Sequence, residues 1–356
     1  MSTQVTGIFI GTNYTNNNVG ISELDGCVAD ALYMRSYFQE TFPTMQSHLL
    51  LDGQATRNNI LSTLASMIPV QGARGARGSP GAQDKELIFF YFSGHGTYTF
   101  ENQADLANKD EVDGRDEIIV PFDGQLITDD MFYSSFLSLL PASTTLVMII
   151  DACNSGTFAD LDFNYTLDTT NPQLLAWTEQ ELPVNLQKQT IQTKTKATVY
   201  SLSASSDNEF AREGYFSRYE SYRGYFTVAL QENWMTATVN KTLYDYMRSI
   251  QTQYLGTSQL SPQTMNISST ERLLSSMTLE TLFGEFTSQQ QQELLSIKYP
   301  STWTSLPSIH FLGEESTNEG KESEITLQNN NKQSLSQGML LMFVFMFLSF
   351  FLSRAR

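Results

Sequence analysis

Two continuous apolar runs, Glu86 to Phe92 (ELIFFYF) and Thr145 to Ile150 (TLVMII), most constrain what this chain can fold into. Neither alternates polar with apolar, so each predicts a strand covered on both faces, the condition of a central strand in a sheet enclosed by helices. Each runs straight into a polar turn containing glycine. Ser93-Gly94-His95-Gly96 follows the first, and Asp151-Ala152-Cys153-Asn154-Ser155-Gly156 follows the second. Sites in open α/β sheets gather at the carboxyl ends of strands, which places His95 and Cys153 where chemistry is expected.

The surrounding pattern predicts the rest of an α/β domain. Val5 to Gly11 (VTGIFIG) is a short β-branched run that reads as a buried first strand. A helix is expected over Gly26 to Thr41, with Val28, Ala31, Leu32, Arg35 and Phe38 at helical spacing and Pro43 closing it, followed by a strand at His48 to Leu51. A second helix fits Thr56 to Met67, and the Gly/Arg segment from Gly72 to Gly81 reads as an exposed loop open to cleavage. Phe158 to Lys196 lacks periodicity and reads as a long connection. Beyond it come a strand at Thr198 to Ala204, helices at Gly224 to Asn233 and Leu243 to Tyr254, and a last strand at Pro307 to Leu312.

Composition narrows the partners. A net charge of -17 repels nucleic acid and anionic lipid headgroups and favours basic peptides and divalent cations. Only Cys27 and Cys153 occur and the N-terminus has no secretory pattern, so a disulfide framework is not expected and the environment reads as reducing and cytosolic. Glu314 to Gln337 reads as a disordered polar spacer. Met339 to Leu352 (MLLMFVFMFLSFFL) is apolar but shorter than a usual membrane span. It reads, in order of preference, as a C-terminal membrane anchor leaving the rest facing the cytosol, a buried helix, or a cleaved lipid-anchor signal.

A cysteine peptidase needs a thiolate, a nearby imidazole to manage its proton, and backbone donors for the oxyanion. Both strand-end turns supply such parts, with Gly96 and Gly156 offering backbone N-H groups. Taken singly, Cys153 reads as a small buried hydrophobe and His95 as structural. Taken together, YFSGHG (Tyr91 to Gly96) and DACNSG (Asp151 to Gly156) resemble the two catalytic motifs of the caspase-like peptidases, in the right order and spacing.

Within that group the carboxylates resemble those of the metacaspases. The resemblance implies a caspase-like three-layer α/β/α sandwich around a central, mostly parallel sheet, and an endopeptidase with His95 and Cys153 as its catalytic pair. It implies a pocket for arginine or lysine lined by Cys27, Asp30, Ser93 and Asp151, with Asp207 bordering the substrate groove. Asp151 would take a guanidinium by bidentate hydrogen bonds. The same acids also read as caps or turn formers, and Asp207 as a surface turn. The segments DEVDGRDEIIVPFD and ITDDMF resemble the family's calcium-binding region, implying Asp116, Asp129, Asp130 and Asp160 as ligands of an activating Ca²⁺. Hard carboxylate oxygens suit calcium, and a solvated acidic loop is the other reading. No organic cofactor is expected.

By this resemblance the peptidase domain spans 1–313, with a large-subunit-like part at 1–160, a linker at 161–196 and a small-subunit-like part at 197–313. The spacer (314–337) and the tail (338–356) follow. No recruitment module is expected before the first strand. Lys188, Lys194 and Lys196 offer self-cleavage points, or are ordinary linker lysines. Two departures stand out: Asn154 occupies a position where many metacaspases carry His, and the Asp123 to Asp129 connection is short. A monomer is expected. The rival expectation is a catalytically silent scaffold that keeps the fold and binds partners.

Overall fold

The computed structural model describes residues 4–69, 85–100, 115–156, 158–159, 161, 163–166, 195–206, 209–236, 243–251 and 263–271, all within one compact unit, residues 1–324. Its frame is a seven-stranded sheet. β1 (Gln4–Gly11), β2 (Gln46–Leu51), β3 (Glu86–Ser93), β7 (Thr144–Asp151) and β9 (Thr198–Ser203) are mutually parallel, while β12 (Asn266–Ser269) runs antiparallel between β9 and the edge strand β8 (Phe163–Thr166). The spatial order is β2-β1-β3-β7-β9-β12-β8. The two apolar runs are therefore neighbours at the centre, as their double-sided burial requires.

Side chains of these strands alternate between two separate cores. Phe9, Leu87, Phe89, Tyr91, Val147 and Ile149 face one, closed by α1 (Cys27–Thr41), α4 (Tyr225–Thr236) and α5 (Leu243–Ile250). Ile8, Ile10, Phe90, Phe92, Met148 and Ile150 face the other, closed by α2 (Arg57–Met67) and α3 (Asp129–Ser135). A period of two with both faces apolar yields an uninterrupted hydrophobic run, and hence the three-layer α/β/α architecture.

Two smaller sheets lie outside this frame. β4 (Gly96–Phe100), β5 (Arg115–Ile119) and β6 (Ile127–Thr128) form an antiparallel ribbon that starts directly after His95, and β10 (Glu213–Phe216) pairs antiparallel with β11 (Ser221–Gly224). The connection expected from Phe158 to Lys196 is interrupted by β8, whose partner β12 supplies ladder bonds that the short polar FNYT segment does not advertise in its own pattern. The Gly/Arg loop, the Pro307 to Leu312 strand, the spacer and the tail lie outside the described residues. Among the described residues, no helix is long and apolar enough to cross a membrane.

The start of α1 is held from a distance. Gly26 offers no side-chain cap, and instead Asn13 Oδ1 accepts the Val28 N-H at 2.9 Å while Glu213 Oε2 accepts the Gly26 N-H at 2.8 Å. These acceptors satisfy amides that a helix start leaves open, and so fix the turn carrying Cys27 and Asp30.

Candidate active site

Register decides the geometry. Residues of β3 and β7 pair from Glu86↔Thr144 to Ser93↔Asp151, so His95 and Cys153, each two residues further on, leave adjacent strands at the same sheet end. The Gly94 N-H donates to the Asp151 carbonyl at 3.2 Å, and a β-carbon on Gly96 would stand 2.0 Å from the Cys153 carbonyl oxygen. The backbone after His95 thus lies directly against the backbone of Cys153, an approach that only glycine permits.

His95 is 2% exposed and fixed on two sides. Its Nε2 lies 2.9 Å from the Ser22 carbonyl oxygen. A carbonyl only accepts, so Nε2 carries the proton and Nδ1 of the neutral ring holds the lone pair. The His95 N-H donates to Tyr14 Oη at 2.9 Å, Tyr14 Oη donates to the Val120 carbonyl at 2.5 Å, and the two rings lie 4.8 Å apart. Tyr14 has a positive φ of 58°. Burial lowers the His95 pKa to about 4, partly offset by the Ser22 carbonyl, so the imidazole is a neutral base at physiological pH.

Cys153 is 6% exposed, and its thiol donates to the Ala211 carbonyl at 3.9 Å. Asn154 adopts a φ of 51°, a left-handed conformation that asparagine tolerates better than most residues, and its N-H donates to the Glu209 carbonyl at 3.2 Å. The turn is further tied by the Ser155 and Ser205 hydroxyls, which both donate to the Ala152 carbonyl, at 2.8 and 3.1 Å.

The acids expected to form a pocket converge beside this turn. Ser93 Oγ donates to Asp30 Oδ2 at 3.4 Å, and a β-carbon on Gly224 would meet both Asp151 Oδ2 at 2.2 Å and Asp30 Oδ2 at 3.0 Å. Cys27, in the same turn of α1 as Asp30, has its thiol pKa raised well above the ordinary value, by burial first and by Glu213 and Asp30 next. Such a thiol stays protonated at neutral pH and is a poor nucleophile.

Sequence reasoning missed the partners of these acids. The Arg223 Nε donates to Asp30 Oδ1 at 2.5 Å, and the Gly224 N-H donates to Asp30 Oδ2 at 2.8 Å. Thr227 donates its N-H at 3.1 Å and its hydroxyl at 2.6 Å to Asp151 Oδ2. Burial raises the Asp30 carboxyl, opposed by the Arg223 guanidinium. Burial, then the negative charge of Asp30, raises Asp151 to about 7. Glu213, which accepts from the Asp25 and Gly26 amides, is likewise raised by burial to about 7. The Arg223 to Asp30 pair joins residues 193 positions apart, and neither β11 nor the Ser22 carbonyl has a local signature that would have flagged it.

Glu213 gives a pH prediction with a fixed sign. It ionises at 4.5 when unfolded and at about 7 when folded, so its stabilising contribution is complete below 4.5 and is lost as pH rises through about 7. Glu213→Gln removes this dependence. Denaturant titrations at three pH values across that window should show the wild type losing stability relative to the variant as pH rises, by on the order of 2 kcal/mol, a figure discounted because Glu213 is only partly buried.

The expected calcium ligands are only partly within view. Asp129 is buried, with Oδ1 accepting the Asp130 N-H at 2.8 Å and Oδ2 the Glu117 N-H at 3.2 Å, while Asp116 lies on β5 and Asp130 is exposed. Among the described residues, no group of three or more His, Cys, Asp or Glu side chains is placed to hold a metal ion. The described part of the set therefore does not by itself fit a calcium site. Asp160 and Asp207 lie outside the described residues, as do Lys188 and Lys194, whereas Lys196 is exposed.

Comparison with known proteins points the same way as the motifs. Residues 6–162 match the family described as metacaspase, peptidase C14 domain. Among curated proteins the chain is 31% identical over 178 residues to inactive metacaspase-4 of Trypanosoma brucei brucei, covering 47% of this chain and 45% of that protein. It is 32% identical over 171 residues to metacaspase-1 of Schizosaccharomyces pombe, covering 45% and 36%, and 32% identical over 193 residues to metacaspase-2 of Arabidopsis thaliana, covering 49% and 42%. The chain thus spans less than half the length of these curated relatives. The two motifs stand on adjacent strand ends of an α/β/α sandwich, and the match to the metacaspase peptidase domain runs over residues 6–162, from β1 through the Cys153 turn.

Proposed function

We propose that this chain is a cysteine endopeptidase that cleaves peptide bonds after arginine or lysine. The observation that carries this reading is the Ser93↔Asp151 register, which brings His95, Cys153 and Asp151 to one sheet end, where Asp30 of α1 meets Ser93. Cys153 Sγ attacks the scissile carbonyl while His95 Nδ1 takes the thiol proton. A base held neutral by burial is ready for that transfer at physiological pH. The imidazolium then returns the proton to the leaving amine as the C-N bond breaks. Water, deprotonated by the same imidazole, hydrolyses the thioester and regenerates the thiol.

The acids beside the turn support a preference for a cationic side chain, since burial strengthens their field. Activation by calcium rests on the resemblance of the Asp-rich segments, with no catalytic step routed through the ion. Self-processing rests on the basic residues of the linker. A silent scaffold is the second reading, favoured by the match to a relative whose name marks it inactive. Both His95 and Cys153 are present here, and that supports turnover.

The test is cleavage of fluorogenic peptides carrying Arg, Lys or Asp before the reporter, with calcium or chelator. Cleavage after Arg and Lys is the expected result. Cleavage after Asp contradicts the pocket reading, cleavage indifferent to chelator removes the calcium proposal, and binding of peptides without any turnover favours the scaffold.

A further inference from the structure

We propose that Arg223 sets the charge of the specificity pocket: it neutralises Asp30, leaving Asp151 as the carboxylate that receives the substrate's basic side chain. This rests on the arginine and lysine reading above and goes further, because that reading assigns both acids the same task.

The two acids differ in what their own chain already gives them. Arg223 is 0% exposed at the end of β11. Its Nε binds Asp30 Oδ1 at 2.5 Å, its Nη2 donates to Gln231 Oε1 at 2.9 Å, and its guanidinium carbon lies 4.2 Å from the Tyr33 ring centroid and 5.3 Å from that of Tyr219. Gly224 and Ser93 take the other oxygen of Asp30. Both oxygens of Asp30 are thus engaged, and the residue is 0% exposed.

Asp151 is 5% exposed, and both Thr227 donors fall on its Oδ2. Among the described residues, no hydrogen bond reaches its Oδ1. A substrate guanidinium needs a carboxylate with lone pairs to spare, and Asp151 is the one that offers them. Asp30 and Arg223 form an opposite-charge pair, so Asp151 is the carboxylate left for the substrate's cation, whose charge would draw it into the ionised form. Glu213, a third acid near the cluster, on β10, is already directed at the Asp25 and Gly26 amides. A buried charge stripped of its counter-ion acts strongly on its surroundings, so Arg223 would oppose a cationic substrate if Asp30 were removed.

The experiment compares kcat/KM for peptides ending in Arg or Lys with an otherwise identical norleucine peptide. Asp30→Asn should lower the basic-to-norleucine ratio about 10²-fold, mostly through KM, because an uncompensated Arg223 then cancels Asp151. The double variant Asp30→Asn/Arg223→Met should bring the ratio back to within about threefold of wild type. Asp151→Asn should lose the ratio and not regain it with Arg223→Met. Thermal unfolding of each variant establishes that it is folded, and Asp30→Asn/Arg223→Gln serves if the methionine variant does not fold. A folded double variant as poor as Asp30→Asn overturns the proposal, since Asp30 would then contact substrate itself. A wild type without basic preference is a separate result, seen before any variant is made, and removes the reading beneath this one.

Discussion

Replacing Cys153 with alanine should lower peptide cleavage by about 10⁴-fold or more while the variant unfolds within a few degrees of the wild type. The thiol is the strongest nucleophile in the DACNSG turn, where the Ser155 hydroxyl is tied to the Ala152 carbonyl. Its thiol donates to the Ala211 carbonyl at a long 3.9 Å, a weak bond whose loss costs little stability. His95→Ala should lose activity to a similar extent, and the double variant should be no worse than either single one, because nucleophile and base act as one unit. The His95 ring also packs against the Tyr14 ring and binds the Ser22 carbonyl, so its loss should additionally lower stability. Steady-state rates beside a thermal melt for each variant check both halves. A His95→Ala enzyme retaining wild-type activity would show that another group handles the proton.

The second large effect comes from an atom no catalytic list would include. In Gly96→Ala the new β-carbon would stand 2.0 Å from the Cys153 carbonyl oxygen and 3.0 Å from the Ala152 β-carbon, so the backbone on one side of the pair must move. That displaces either His95 or Cys153, and misplacing a reacting group by about 1 Å costs on the order of 10²-fold. The loss should appear in kcat, with the pocket acids unchanged. Unaltered kcat in a stable Gly96→Ala enzyme would mean that the two turns are looser than their ladder suggests.

The two central strands were legible in the sequence because burial on both faces removes alternation and leaves an uninterrupted apolar run. The turns that follow them were legible for the same reason, since the break from apolar to polar is abrupt. What the sequence does not state is pairing: that β3 and β7 are neighbours, in a register setting Ser93 against Asp151, is a property of the whole sheet. The β4-β5-β6 ribbon was hidden because β5 (RDEII) opens on charged residues and sits in an acidic stretch that reads as a loop. It is held by ladder bonds to β4 and by Arg115 stacked 4.2 Å over Tyr98, neither of which has a local pattern.

The site shows the same division. Cys27, Asp30, Ser93 and Asp151 could be placed together through resemblance, and the structure brings them into one cluster. Arg223, Gly224 and Thr227 could not, because they reach the cluster from the β11 to α4 junction, far along the chain, and Arg223 alone in a sequence reads as a solvated surface charge. Burial of an arginine is informative only once its partners are seen. The Ser22 carbonyl that orients His95 is backbone, and any residue could supply it.

Covalent labelling tests the central claim most directly. The full chain holds two cysteines, Cys27 and Cys153, so a thiol adduct formed by an electrophilic ketone on a peptide ending in arginine must lie on one or the other. Peptide mapping by mass spectrometry after stoichiometric labelling should place the adduct on Cys153, with labelling lost in His95→Ala. An adduct on Cys27, or labelling of Cys153 that proceeds unchanged without His95, would contradict the account.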